Sequence, residues 1–350
     1  MRACWLCALG ILTVTSCADP SRPTTVDASL SIDDAVIASA GVLPSLPGGV
    51  RAQVRDVAGA GIFAGEGVDA AGVPRAIRWV DNRAQNIPMA TPTTQSDAWG
   101  VDTRGNVVGY YLTPAREMRP FIFQAGVTAD LPLLAGGRTA AATFILDPTR
   151  VVGYGGDAAQ ETHAVLWRNG LARDLGTLPG DIESAAHGVN TLGVVVGYSK
   201  SPLITYRAVK WVGGVLSPLA LLPGWYNTIA TAINQNGEIV GYGADPARVT
   251  HPVVWRNGVM IDLGLPSGAD LGTATDVTGT GEIVGYVHYP QPTPNGLYRA
   301  VAWVNGTMRF LGEPVGANWS LATRISEKRV VGGVAGADAF DQAVWWKLVP

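Results

Sequence analysis

Apolar and polar positions in this chain alternate in short runs bounded by glycine and asparagine, and the runs return at a fixed interval. In residues 228–266 the alternating run TIATAIN leads to a turn, QNG. The β-branched run EIVGYG follows, then a variable loop, the apolar HPVVW, a second turn, RNG, and the closing run VMIDLGL. Runs this short, rich in Val, Ile and Thr and punctuated by Asn-Gly, predict four antiparallel strands, here called a, b, c and d. Asn-Gly is the strongest short hairpin signal because both central residues of that turn need positive φ. It recurs between strands c and d at Asn169-Gly170, Asn257-Gly258 and Asn305-Gly306.

Three columns carry the repeat. A glycine in strand b stands at Gly65, Gly109, Gly153, Gly197, Gly241, Gly285 and Gly332, in steps of 44 and a last step of 47. The column reads as a place where backbones of neighbouring units crowd and no side chain fits. An aromatic in strand c follows it at Trp79, Phe123, Trp167, Trp211, Trp255, Trp303 and Trp346, which predicts a core between units. A strand-d phrase recurs at Leu43, Ile87, Leu131, Leu175, Leu219, Leu263 and Leu311. Its first copy precedes any a, b or c, and the last unit stops after its strand c. The segment near Leu43 is therefore expected to pair with the strand ending at Trp346 and complete the last unit. Four-stranded units of about 44 residues, seven in number, predict an all-β fold, a seven-bladed β-propeller over residues 36–350. The β-branched, glycine-rich runs do not support a helical repeat, and the units are long for a β-solenoid.

Composition narrows the function without naming it. Charged residues make up 15% of the 350 and the net charge is −3, with signs interspersed, so no basic face for nucleic acid stands out. Residues 1–17 have the form of an export signal: Arg2, an apolar stretch from Ala3 to Val14, then Thr15, Ser16 and Cys17. The ending resembles a bacterial lipobox, which implies cleavage before Cys17 and lipid attachment to it. Cys4 and Cys7 leave with the signal, so disulfides, thiol chemistry and cysteine-ligated metal are not expected. Residues 18–35 are polar, with proline and threonine, and suit a tether between membrane and domain.

The order of phrases His163-Ala164-Val165-Leu166-Trp167, Asp174-Leu175-Gly176-Thr177-Leu178, Val189-Asn190 and Val195-Val196-Gly197 resembles the bacterial extracellular repeats of the HAF family. Valine stands in place of the namesake phenylalanine, and only His163 and His251 keep the histidine. The resemblance covers nearly the whole domain and implies an exported repeat protein, with no reaction or ligand to carry over.

Candidate chemistry falls into repeating and non-repeating positions. A polar column precedes the aromatic at Arg75, Arg119, His163, Arg207, His251, Arg299 and Gln342, and a position filled in every unit argues for packing. The same holds for Asp130, Asp174 and Asp262 before the strand-d leucine. Strand a carries a small column (Val54, Ala98, Ala142, Ala186, Ala230, Ala274 and Ala322) and, two residues on, Asp56, Gly100, Phe144, Gly188, Ala232, Asp276 and Arg324. Asp56, Asp276 and Arg324 belong to units adjacent around a closed ring, so they are expected to meet at its centre, as a ligand site or as an ion-pair plug. Trp99, Trp225, Tyr226 and Trp319 lie in or beside the d–a loops, at the end that also bears the b–c loops and the insertion from His288 to Tyr298. Variable loops on a fixed scaffold are where binding resides, so that end is expected to hold the site. The expected function is an exported, lipid-held binding or interaction module for an unknown glycan or protein. It is expected to be monomeric, with no cofactor and no metal. A polysaccharide lyase or hydrolase, or a structural scaffold, are the alternatives.

Overall fold

In the computed structural model, the residues described are 37–290, 297–337 and 340–349. Cys17, the tether and the middle of the His288–Tyr298 insertion lie outside them. Among the described residues every element is a strand. The fold is all-β, in antiparallel sheets whose strands follow the order a–b–c–d. In the unit read above these are Tyr226–Ile233, Ile239–Ala244, Thr250–Arg256 and Val259–Asp262. The next unit (Leu271–Val277, Ile283–Tyr289, Leu297–Val304 and Thr307–Phe310) is joined to it by one parallel bridge, Thr250 to Leu271.

The last sheet draws on both ends of the chain. Trp319–Ile325, Val330–Ala337 and Phe340–Leu348 are joined by Ile37–Val42, antiparallel, with Ala40 opposite Trp346. Leu43 follows that strand, and its N–H donates to the Ala343 carbonyl at 2.8 Å. Leu175 makes the corresponding bond to Ala164 at 2.9 Å, so the N-terminal segment occupies the strand-d place of its sheet.

Successive units are held face to face by the aromatic column, all seven members of which are buried. The indole N–H of Trp167 donates to the Pro132 carbonyl (2.7 Å) and that of Trp255 to Ala220 (2.7 Å), each acceptor lying on the strand-d segment of the preceding unit. Trp79 makes the same bond to Pro44 (2.7 Å), which follows the N-terminal strand. These three indoles each combine a large apolar burial, about 2–3 kcal/mol, with one satisfied polar group, whereas the buried Trp303 indole N–H has no partner among the described residues.

Strand a is bulged in every unit. Its register against strand b shifts between Val54 and Asp56, Ala98 and Gly100, and at each equivalent step. The extra residue is Arg55, Trp99, Thr143, His187, Thr231, Thr275 or Thr323. At the four threonines the hydroxyl bonds a strand-a carbonyl of the next unit: Ala186 (2.7 Å), Ala274 (2.7 Å), Ala322 (3.0 Å) and Val54 (3.1 Å). The last of these ties the final unit to the first. The bulge also explains the glycines. A Cβ on Gly109 would lie 2.0 Å from the Asp97 carbonyl oxygen, and one on Gly153 2.0 Å from that of Ala141. The crowding therefore comes from the unit's own strand a and not, as the sequence suggested, from a neighbouring unit. In the last unit the column member is Gly333, paired with Ala322 and 2.2 Å by its Cβ from the Leu321 carbonyl, rather than Gly332.

Candidate functional site

Asp56, Asp276 and Arg324 do meet where the inner strands converge. Arg324 Nε lies 4.0 Å from Asp56, and its Nη1 lies 4.0 Å from Asp276. Nη1 donates to the Thr275 carbonyl at 3.0 Å and reaches that of Thr231 at 3.4 Å, while the guanidinium faces the Phe144 ring at 5.8 Å. Asp56 accepts the N–H groups of Val57 and Val101, each at 2.8 Å, and Asp276 accepts that of Ile325 at 2.9 Å. Burial pushes Asp56 up to about 7 against the pull of Arg324, and it pushes Asp276 up as well. Every member is tied to backbone of another unit, so the trio acts as a polar plug linking the first, second, fifth, sixth and seventh units.

One residue earlier on strand a lies a second cluster, assembled where the repeat is broken. Arg55 and Trp99 take bulge positions that threonine fills elsewhere, and Asp97 stands where Ala141 and Ala185 stand in later units. Glu66 stands where the next five units carry Tyr110, Tyr154, Tyr198, Tyr242 and Tyr286. Arg55 Nη2 lies 3.2 Å from Asp97 Oδ2, and the Trp99 indole N–H donates to the same oxygen at 2.7 Å. Tyr110 meets Trp99 edge-on at 5.2 Å, and Tyr154 lies 6.4 Å from it. Asp97 and Tyr110 are buried, whereas Arg55, Glu66, Trp99 and Tyr154 are partly open at the end bearing the d–a and b–c loops. Two buried atoms, Arg55 Nε and Asp97 Oδ1, have no hydrogen-bond partner. Burial and the neighbouring Asp97 push Glu66 up to about 7, against Arg55 and Arg51. Such a set offers charged donors, charged acceptors and an aromatic face together.

His187 fills the bulge position of the fourth unit and makes the threonine's bond, Nδ1 to the Ala230 carbonyl at 2.8 Å. The carbonyl acceptor places the proton on Nδ1, and Nε2 is buried without a partner. Burial pushes this imidazole down to about 4, so it is neutral near pH 7.

Of the remaining sequence candidates only Trp99 joins one of these clusters. Trp99 lies within the inner strand Gln95–Val101, not in a loop. Trp225 packs on His251 of its own unit at 5.3 Å, and it and Tyr226 lie in or beside the fifth unit's strand a. Trp319 begins the strand a of the last unit. The polar column is spent on local pairing, as Arg75 with Asp69 (2.8 Å), Arg119 with Glu117 (2.7 Å) and His163 with Asp174 (2.8 Å). Asp157, Glu161 and His163 offer three possible ligand atoms within 4.8 Å of one another, the carboxylates in a loop and the histidine in the strand that follows it, with no further sign of an ion site among the described residues. At the opposite end a groove of about 580 Å³ runs between turns of the fifth and sixth units, lined by Asn236, Glu238, Arg256, Asn257, Thr280 and Glu282. Its walls are largely turn positions that recur from unit to unit, the pattern of connectors.

Sequence reasoning missed Arg55, Glu66, Asp97, Tyr110, Tyr154 and His187. The signal was present for Arg55, Glu66, Asp97 and His187, which depart from their columns, whereas Tyr110 and Tyr154 are the usual residue of theirs; a period-two reading steps from Ala98 to Gly100 and passes over the bulge between them.

No family model and no curated protein matches the chain. Among solved structures it is similar to a puromycin-hydrolyzing peptidase of Mycobacterium tuberculosis, with 12% identity and a TM-score of 0.59, over 84% of this chain and 50% of that one. The chain thus spans half the length of that peptidase. It is also similar to the β-propeller domain of the Trilobed protease from Pyrococcus furiosus, whose topology is an open velcro, with 10% identity and a TM-score of 0.53, over 85% of this chain and 95% of that one. At these identities the likeness concerns the fold, which is that of a β-propeller.

Proposed function

We propose that this protein is a seven-bladed β-propeller closed by its N-terminal strand, and that it is a binding module whose ligand enters at the Arg55–Asp97–Trp99 mouth. The observation that carries the reading is the break in the bulge column. Four units spend that position on a threonine bond to the next unit, while the first two spend it on a partly open guanidinium and an indole. Scaffold positions given up for partly open, incompletely satisfied polar groups are what a grafted site looks like. Closure is supported by the Ile37–Val42 pairing, the Trp79–Pro44 bond and the Thr323–Val54 bond. Export, lipid attachment at Cys17, membership of the HAF repeats and a monomeric state belong to the same proposal and rest on the sequence phrases and the self-contained ring.

A hydrolase or lyase is favoured by one observation, Glu66 held near 7 beside Asp97, since acid–base catalysis needs a carboxyl poised there. One experiment separates the two. The full chain is screened by thermal shift against oligosaccharides, peptides and common metabolites, with each mixture assayed for new reducing ends or unsaturated products. Binding predicts a ligand that raises the wild-type melting temperature, leaves the Trp99→Ala melting temperature in place, and is recovered intact. Product release would establish the enzyme, and shifts indifferent to Trp99 would remove the site from the mouth.

A further inference from the structure

We propose that the mouth receives a neutral pyranose unit of a glycan, lying on the Trp99 indole with its hydroxyls shared between Arg55 and Glu66, while Asp97 holds Arg55 and Trp99 in place. The inference rests on the reading of the mouth as the binding site and adds the chemistry of its ligand. Trp99 is a prepared platform. Its ring is fixed at one edge by the 2.7 Å bond to Asp97 and braced by Tyr110, yet it remains partly exposed. Fixed aromatic surface with a few convergent polar groups is the make-up of a small-molecule site.

The polar groups decide which ring fits. Arg55 supplies only donors, and the carboxyl oxygens of Glu66 supply acceptors. An anionic ligand would bring its charge against Asp97 and Glu66, and a cationic one would bring its charge against Arg55 and Arg51. A sugar hydroxyl both donates and accepts, so a ring bearing several can answer both kinds of group without adding charge. The unpartnered Arg55 Nε and Asp97 Oδ1 show that the cluster does not satisfy itself. The tyrosines alongside, Tyr110 and Tyr154, continue the apolar wall.

Calorimetric titration of the full chain tests this with three sets of oligosaccharide: neutral (cello-, manno- and N-acetylchito-oligomers), acidic (oligogalacturonate) and basic (chitosan oligomers). At least one neutral oligomer is expected to bind about tenfold or more tightly than either charged set, and Trp99→Ala should weaken it by about tenfold or more. Trp99→Phe, which keeps a platform and loses the bond to Asp97, should fall between, and it serves where Trp99→Ala does not fold. Preference for a charged set, absence of binding by all three sets, or neutral binding indifferent to Trp99 would overturn the proposal. If a peptide or metabolite binds in a Trp99-dependent way while the sugars do not, only the ligand class is wrong. If no ligand of any kind depends on Trp99, the mouth itself is wrong.

Discussion

The third, fifth, sixth and seventh units and the first two are built on the same strands and the same bulge, but they spend the bulged residue differently. In the former, Thr143, Thr231, Thr275 and Thr323 each bond the next unit's inner strand, a neutral contact made wholly within the scaffold. In the first two units, Arg55 and Trp99 both turn to Asp97, which brings a charge into the interior. The first arrangement is complete and indifferent to solvent, whereas the second is costly to bury and leaves polar atoms unmatched. A repeat protein thus shows its own control experiment: what most units do defines the structural need, and the units that depart from it mark where something else is served.

The contrast is sharpest in stability. Asp97 is 1% exposed and, among the described residues, Arg55 is its only charged partner at bonding distance. Arg55→Ala should therefore destabilise the fold by about 3–5 kcal/mol, because it leaves an uncompensated buried carboxylate. Thr231→Val, which deletes a neutral bond of the common kind, should cost only about 1 kcal/mol. Urea unfolding of both variants checks the ordering, and equal losses would mean that the charged arc is no different from the rest.

The fourth unit provides an intermediate case through pH. His187 has a folded pKa of about 4, below the unfolded value of 6.5, so the neutral form is favoured in the native state. Its contribution is intact above about pH 6.5 and is lost as the pH falls toward 4, because the unfolded chain takes up the proton that the folded chain resists. At about 1.4 kcal/mol per pKa unit the loss amounts to about 3 kcal/mol. His187→Thr restores the common residue and its bond to the Ala230 carbonyl, so the variant should lose less stability than wild type between pH 6.5 and 4. Parallel stability curves for the two proteins would show that His187 stays solvated.

Much of this was legible in the sequence because every unit repeats it. The strand order, the buried Trp79 to Trp346 column and the pairing of the N-terminal strand follow from spacing alone, and so does the meeting of Asp56, Asp276 and Arg324. The mouth was not legible in the same way. The sequence places Trp99 in or beside a d–a loop, and it does not single out Arg55, since strand alternation puts Arg55 on the face opposite its neighbours Val54 and Asp56. The bulge cancels that alternation locally, and its sequence trace is indirect: a small residue in strand a opposite an obligatory glycine in strand b, as Ala98 stands opposite Gly109. Glu66 escaped for a related reason, because a phrase ending in Tyr is read for its glycine and not for the one unit that ends in a carboxylate.

The central claim is that Arg55, Asp97 and Trp99 serve a ligand and not the fold. It is tested most directly by returning all three to residues found in the other units, in the triple variant Arg55→Thr, Asp97→Ala and Trp99→Thr. If the claim holds, the repaired chain unfolds in urea at the same concentration as wild type or a higher one, since the buried charge and its partner leave together and a neutral bond to the next unit takes their place. A repaired chain several kcal/mol less stable than wild type would contradict it, and would make the cluster part of what holds the fold together.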